Sequence, residues 1–194
     1  PFLKKYIIDI PNKRSSHEIR KPTGGGIVFY LINVISSLFL GSSSLILLLP
    51  ITFAGFIDDL RGLKAFYRFI IQVITAILII YYSGLYSKLS INIENFIIFY
   101  LIIFLTIIFA VATINFVNFM DGLDGLICGS MIVFFITFSL KFDLNFLIIP
   151  SSLLGFLILN WSPAKVFMGD AGSTFLGSLC VLKIYESNSI EEAL

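Results

Sequence analysis

The sequence predicts an all-α fold, a polytopic transmembrane helical bundle of about seven spans, and three observations carry that prediction. Hydrophobic residues make up 58% of the 194 and charged residues only 13%, where a soluble domain carries about 25% charged. Apolar runs recur along the whole chain, separated by short polar segments. Most of the Lys and Arg residues gather in every second one of those segments.

Seven runs qualify as spans: 24–40, 45–57, 67–82, 96–114, 126–140, 146–161 and 171–185. A crossing needs about 20 mostly apolar residues, so the shorter runs are expected to end in polar loops or among neighbouring helices. Val, Ile and Phe are frequent, which in water would favour strands. In hydrocarbon each backbone group must be satisfied inside the protein, and runs of this length then form helices. The runs do not alternate apolar with polar, which excludes a transmembrane barrel. Their even spread predicts one domain over residues 1–194. Residues 1–21 are basic without an apolar stretch, so they are read as a loop and not a signal peptide. With Pro1 at its start, the chain is expected to be an internal fragment or a shortened protein.

The loops alternate between two sides. One side receives 1–23, 58–66, 115–125 and 162–170; the other receives 41–44, 83–95, 141–145 and the tail. The first side, with Arg68 at a helix mouth, holds Lys4, Lys5, Lys13, Arg14, Arg20, Lys21, Arg61, Lys64, Arg68 and Lys165, and the second holds Lys88, Lys141 and Lys183, which accounts for all 13 basic residues. The bias of Lys and Arg toward cytoplasmic loops makes the first side cytoplasmic. The net charge of +1 is spread over short loops with no basic stripe, which excludes a nucleic-acid partner. Cys128 and Cys180 lie inside apolar runs at no metal-ligand spacing and are expected to be buried and reduced. Trp161 is expected at the membrane interface.

Four polar clusters share the basic face. The first is Asn12-Lys13-Arg14-Ser15-Ser16-His17 with Pro22-Thr23-Gly24-Gly25-Gly26 downstream. The glycines either cradle a phosphate or let the chain turn into a helix; Arg14, Arg20 and Lys21 form a cationic rim. The second cluster is Asp58-Asp59, ending an apolar run. Two adjacent carboxylates repel, and burial adds to the cost, so they call for a cation or they are solvated at a helix end. The third runs from Asn115 to Gly125, with Asn115, Asn118 and Asp121 three residues apart and therefore near one helical face, then Gly122-Leu123-Asp124-Gly125 in a turn. The fourth is Phe167-Met168-Gly169-Asp170-Ala171-Gly172-Ser173. Asp170 is either a helix N-cap or a metal ligand beside helix N–H groups that are open to an anion. Together the clusters suit Mg²⁺, which takes one or two carboxylates plus substrate phosphates.

These residues resemble the polyprenyl-phosphate N-acetylhexosamine-1-phosphate transferases of glycosyltransferase family 4, the group that includes phospho-N-acetylmuramoyl-pentapeptide transferase. The resemblance covers nearly the whole chain, with four motifs in the family's order. The runs 115–126 and 166–172 are its specific parts, and the Pro11-Asn12-Lys13-Arg14-Ser15-Ser16-His17 opening is closer to the amino-sugar branch. It implies a multi-pass bacterial plasma-membrane enzyme that transfers an N-acetyl amino-sugar 1-phosphate from a UDP-sugar to undecaprenyl phosphate, releasing UMP at the cytoplasmic face. By the same resemblance Asp58 and Asp59 are catalytic, and Asp170, with Asn118, binds Mg²⁺ or Mn²⁺. Gly122, Leu123, Asp124 and Phe167 line a uracil pocket, with Asn115, Asp121, Gly169, Arg20 and Lys21 beside the substrate. A homodimer is compatible with the family. Family members carry about ten spans and a late His- and Arg-rich loop, so the resemblance implies that the chain lacks the first span and the C-terminal ones. The alternatives are therefore an inactive fragment that binds nucleotide-sugar and, from the intramembrane carboxylates alone, a transporter.

Overall fold

A computed structural model describes residues 7–9 and 20–187. The Asn12–His17 motif, with Lys4, Lys5, Lys13 and Arg14, lies outside the described residues. The chain opens with a two-residue antiparallel ladder, β1 (Ile8–Asp9) and β2 (Lys21–Pro22), pairing Ile8 with Pro22 and Asp9 with Lys21. Helices follow: α1 (Gly26–Phe39), α2 (Leu49–Arg61), α3 (Ala65–Tyr82), α4 (Leu85–Asn92), α5 (Phe96–Met120), α6 (Leu126–Lys141), α7 (Ile148–Asn160) and α8 (Gly169–Glu186). Short 3₁₀ turns, Ser44–Leu48 and Leu144–Leu147, lead into α2 and α7.

All seven expected runs are helical. Local chemistry sets several starts: Pro50 sits in the first turn of α2, where its missing N–H costs nothing. The Asn95 side chain caps α5 by accepting from the Ile97 and Ile98 N–H groups. Two expectations need correction. The segment 83–95 is not all loop but contains α4, whose Tyr86 stacks on Tyr81 (4.7 Å) and meets Phe99 edge-on (5.4 Å); eight residues are too few for a periodic signal. The expected N-terminal loop contributes β1 and β2, a ladder too short to leave a sequence pattern.

Among the described residues two helices, α3 and α5, are long and apolar enough to cross a membrane, and only 28% and 17% of their apolar windows are buried within the protein. They are thus not the interior helices of a soluble core. Ile, Leu and Phe side chains cover their outward faces, the surface that hydrocarbon requires. Helices α1 and α6 and the segment Leu144–Asn160 are shorter apolar helices.

The axis of the bundle is α8. Fourteen of its 18 residues are buried, and its principal neighbours are α2, α5 and α1. Such close packing needs small residues at the crossings. A Cβ on Gly26 of α1 would overlap the Gly172 backbone of α8, and one on Gly172 would lie 2.7 Å from Gly26 Cα. At the far end of α8, buried Lys183 donates to Glu186 (2.6 Å) and lies 3.8 Å from the Phe146 ring centroid, so the buried charge is paired. Both cysteines are free and buried.

Among the described residues, several of the segments expected on a common side come together. Gly24, Asp59, Asp121 and Gly169 gather at one end of the bundle. Ser42, Ser44, Asp143 and Asn145 line a common cavity at the other, where Lys88 Nζ also reaches the Ser187 carbonyl (3.5 Å). Gly26→Val is expected to lower stability by about 1–3 kcal/mol or more through overpacking, read as a lower Tm in detergent. Gly129→Ala and Gly155→Ala, where an added Cβ meets nothing within 4 Å, should preserve or raise it.

Candidate functional site

The site is built around the first turn of α8. An α-helix leaves four N–H groups unpaired at its start, and here carboxylates take three. Asp59 Oδ1 accepts from the Asp170 N–H (2.9 Å) and Oδ2 from the Ala171 N–H (3.1 Å). Asp121 accepts from the Gly169 N–H. The acceptors come from the last turn of α2 and the C-cap of α5, past the apolar stretch of each helix. Ser173 Oγ and Thr174 Oγ1 bond back to the Gly169 and Asp170 carbonyls. These N–H groups are therefore not open to an anion, which corrects the sequence expectation: protein carboxylates already hold that position.

Gly169 makes this possible. Its φ of +75° is left-handed, and an added Cβ would lie 2.5 and 2.7 Å from the two Asp59 oxygens, so a side chain is excluded on both counts. The triple glycine has a related task. The Gly25 and Gly26 N–H groups donate to the Phe167 and Met168 carbonyls (3.1 and 2.9 Å). They bind the entry of α1 to the entry of α8, and no phosphate cradle is formed by these two groups.

Asp58 points elsewhere. Its Oδ1 accepts from the Leu63 N–H (2.5 Å), and its Oδ2 pairs with Arg68 Nη1 (3.0 Å), which also lies 3.5 Å from Asp170 Oδ2. Asn118 Nδ2 donates to Asp170 Oδ1 (2.9 Å) and Ser173 Oγ (3.2 Å). The continuation of α5 to Met120 puts Asn115 and Asn118 on one helix, as their spacing predicts. Asn115 exchanges two hydrogen bonds with Gln72 of α3 (2.8 and 3.1 Å). Asp58, Arg68, Gln72, Asn115, Asn118 and Asp170 share a cavity of about 460 Å³ that also has apolar walls from α2, α3 and α5.

The electrostatics are those of surplus negative charge. Burial is the main cause that raises Asp59 to about 7, Asp121 to about 8 and Asp170 to about 6, and the neighbouring carboxylates add to it. Backbone donors pull Asp59 and Asp121 the other way, and Asn118 and Arg68 pull Asp170. Desolvation and repulsion win, so four carboxylates near one guanidinium favour an added cation. Among the described residues no three His, Cys, Asp or Glu side chains form a metal cage. The donor set therefore suits a cation that takes its other ligands from phosphate and water, as Mg²⁺ does. Asp170, its side chain 31% exposed, could hold it. Asn118 could join only through Oδ1, since its Nδ2 is a donor, here engaged by Asp170 and Ser173.

A second group adjoins the entry to α8. Lys21 Nζ lies 3.7 Å from Asp124 Oδ2 and 4.9 Å from the Phe167 ring centroid. Asp124 Oδ2 accepts from the Ala164 N–H (2.8 Å), and Asn160 bridges the Gly125 N–H to the Val166 carbonyl (3.2 and 3.0 Å). Asp124 and Phe167 are thus brought together with Lys21, whereas Gly122 and Leu123 stay exposed at the tip of their turn and Arg20 is exposed ahead of β2. The sequence reading counted Arg68 only as a topological charge and passed over Gln72 and Asn160. An Arg and a Gln four residues apart on an otherwise apolar helix were the available signal.

The profile described as glycosyl transferase family 4 matches residues 42–187. The chain is 32% identical to a protein of Bacillus subtilis (strain 168) named as a probable undecaprenyl-phosphate N-acetylglucosaminyl 1-phosphate transferase, over 95% of this chain and 58% of that protein. It is 34% identical to the phospho-N-acetylmuramoyl-pentapeptide-transferase of Lactobacillus gasseri, over 80% of this chain and 58% of the relative. The protein of the same name from Staphylococcus epidermidis is also 34% identical, over 81% and 60% respectively. The chain spans somewhat under two thirds of the length of these relatives. The match over most of the chain makes it a member of glycosyl transferase family 4.

Proposed function

We propose that the protein to which this chain belongs transfers an N-acetyl amino-sugar 1-phosphate from a UDP-sugar to undecaprenyl phosphate in cell-wall or surface-polysaccharide assembly. The observation that carries the reading is the convergence of Asp58, Asn118, Asp170 and Arg68 on one cavity that also has apolar walls. An amphiphilic acceptor and a phosphorylated donor need both features. In the reaction a lipid phosphate oxygen forms a bond to the β-phosphorus of the UDP-sugar. The bridging P–O bond breaks and its electron pair leaves with UMP.

Asp58, fixed by Leu63 and Arg68 at the cavity wall, would orient the lipid phosphate and take any proton it carries. Arg68, the only cationic residue among the described residues lining the cavity, would meet the incoming phosphate charge with a planar fork suited to it. A divalent cation, Mg²⁺ with Mn²⁺ as substitute, held by Asp170 and Asn118, would supply charge neutralisation at the diphosphate. The Phe167 face, with Lys21 above it and Asp124 beside it, offers stacking and hydrogen bonds for uracil, and Arg20 adds positive charge. Seven spans, a cytoplasmic site and a homodimer complete the proposal; the concentration of Lys and Arg on the site's side supports the orientation.

The test is UMP release by the purified chain with undecaprenyl phosphate, UDP-N-acetylglucosamine and Mg²⁺. Release should require all three and fall about 100-fold or more in Asp58→Asn and Asp170→Asn, the size expected when an electrostatic contact to a transferring phosphoryl group is lost. Activity that survives Asp170→Asn, or nucleotide-sugar binding without release across a panel of UDP-amino sugars, would count against it. Arg68→Ala should lose about 100-fold, and Arg68→Lys should recover part of that, since it keeps the charge and loses the fork.

A further inference from the structure

Asp58 and Asp59 are neighbours in sequence but face different structures, and we propose that Asp59 is a positioning residue that acts through Asp170 and never touches substrate. This inference rests on the transferase reading above. Successive residues on an α-helix point about 100° apart. That rotation turns Asp58 toward Arg68 on α3 and Asp59 toward the start of α8. Asp58 lines the 460 Å³ cavity together with Asp170, and Asp59 is absent from its walls.

Both Asp59 oxygens are committed, one to the Asp170 N–H and one to the Ala171 N–H. The carboxylate is also enclosed. A Cβ at Gly169 would meet both oxygens, and one at Gly24 would sit 3.5 Å from Oδ2. No room remains there for a phosphate. Asp59 instead fixes the backbone from which the Asp170 side chain projects. Asn118 then holds Asp170 Oδ1, which leaves Oδ2 directed at Arg68 and the cavity. Asp59 thereby stands behind the proposed metal ligand as the outer partners of a metal site usually do, orienting it without contact to the ion.

The chemistry of an amide makes the idea testable. Asparagine at position 59 offers one acceptor oxygen for two N–H groups, and its NH₂ would confront the second donor. In the full chain, free of metal and nucleotide, hydrogen exchange at single-amide resolution should show Asp170 and Ala171 exchanging faster in Asp59→Asn while the rest of α8 keeps its protection. Asp58→Asn should leave those two amides unchanged. In the UMP-release assay, Asp59→Asn should raise the half-saturating Mg²⁺ concentration about 10–100-fold, the usual cost of an outer partner, with kcat recovering to within a few-fold at saturating Mg²⁺.

Unchanged protection at Asp170 and Ala171 with kcat abolished at every Mg²⁺ concentration would overturn the proposal and place Asp59 on the substrate. Loss of protection along all of α8, with an unshifted Mg²⁺ midpoint in the remaining activity, would also overturn it by reducing Asp59 to a general stabiliser. If the wild-type chain releases no UMP, the transferase reading fails, and the exchange pattern still decides whether Asp59 holds the start of α8.

Discussion

The structure depends on how the start of α8 is satisfied. The helix is buried from Ala171 to Lys183 and half-buried at Gly169 and Asp170, and a donor left unpaired in such a place is costly. Carboxylates from two other helices supply the acceptors, Asp59 from α2 and Asp121 from α5. A negative charge at a helix N-terminus contributes about 0.3–1 kcal/mol, and up to ~2 kcal/mol where partly buried. The raised values of about 7 and 8 for these two groups mean that this gain does not offset burial and mutual repulsion. The arrangement therefore holds three helices together while it concentrates negative charge, and that charge is what a bound cation would relieve.

The same constraint explains where the small residues fall. To bring Asp59 and Asp121 within hydrogen-bonding reach, α2 and α5 must close on α8 almost backbone to backbone. Gly55 against the Asp170 carbonyl and Gly177 against Ile114 mark those approaches, and Gly26 against Gly172 brings α1 in beside them. Phe and Ile residues such as Phe69, Ile74, Phe104 and Ile108 cover the outward faces of α3 and α5, which suit hydrocarbon. A central helix rich in Gly, Ser and Thr inside a ring of apolar helices places a polar site at the end of the bundle without exposing backbone to lipid.

Much of this was legible in the sequence. Long apolar runs separated by charged segments gave the helices, because hydrocarbon leaves the backbone little other choice. The three-residue spacing of Asn115, Asn118 and Asp121 placed the two amides on one helix. What could not be read was which partner each group would choose. Nothing local says that Asp59 bonds the backbone of Asp170, 111 positions away. Nor does local sequence show that the Gly25 and Gly26 N–H groups are taken by the carbonyls of residues 167 and 168, or that Asn115 pairs with Gln72. Arg68 read as one more topological charge because its role exists only once α3 has packed beside α2. Motif residues could be named from sequence, whereas the division of labour between Asp58 and Asp59 follows from helix rotation and tertiary packing.

The central claim is that the carboxylates assembled at the start of α8 create a site for a divalent cation through Asp170. Electron paramagnetic resonance of Mn²⁺ added to the purified chain tests it most directly. In the presence of UDP-N-acetylglucosamine, the six-line signal of free Mn²⁺ should be lost up to one equivalent per chain and should persist in Asp170→Asn. Free Mn²⁺ at every ratio in the wild-type chain, or equal uptake by Asp170→Asn, would contradict it.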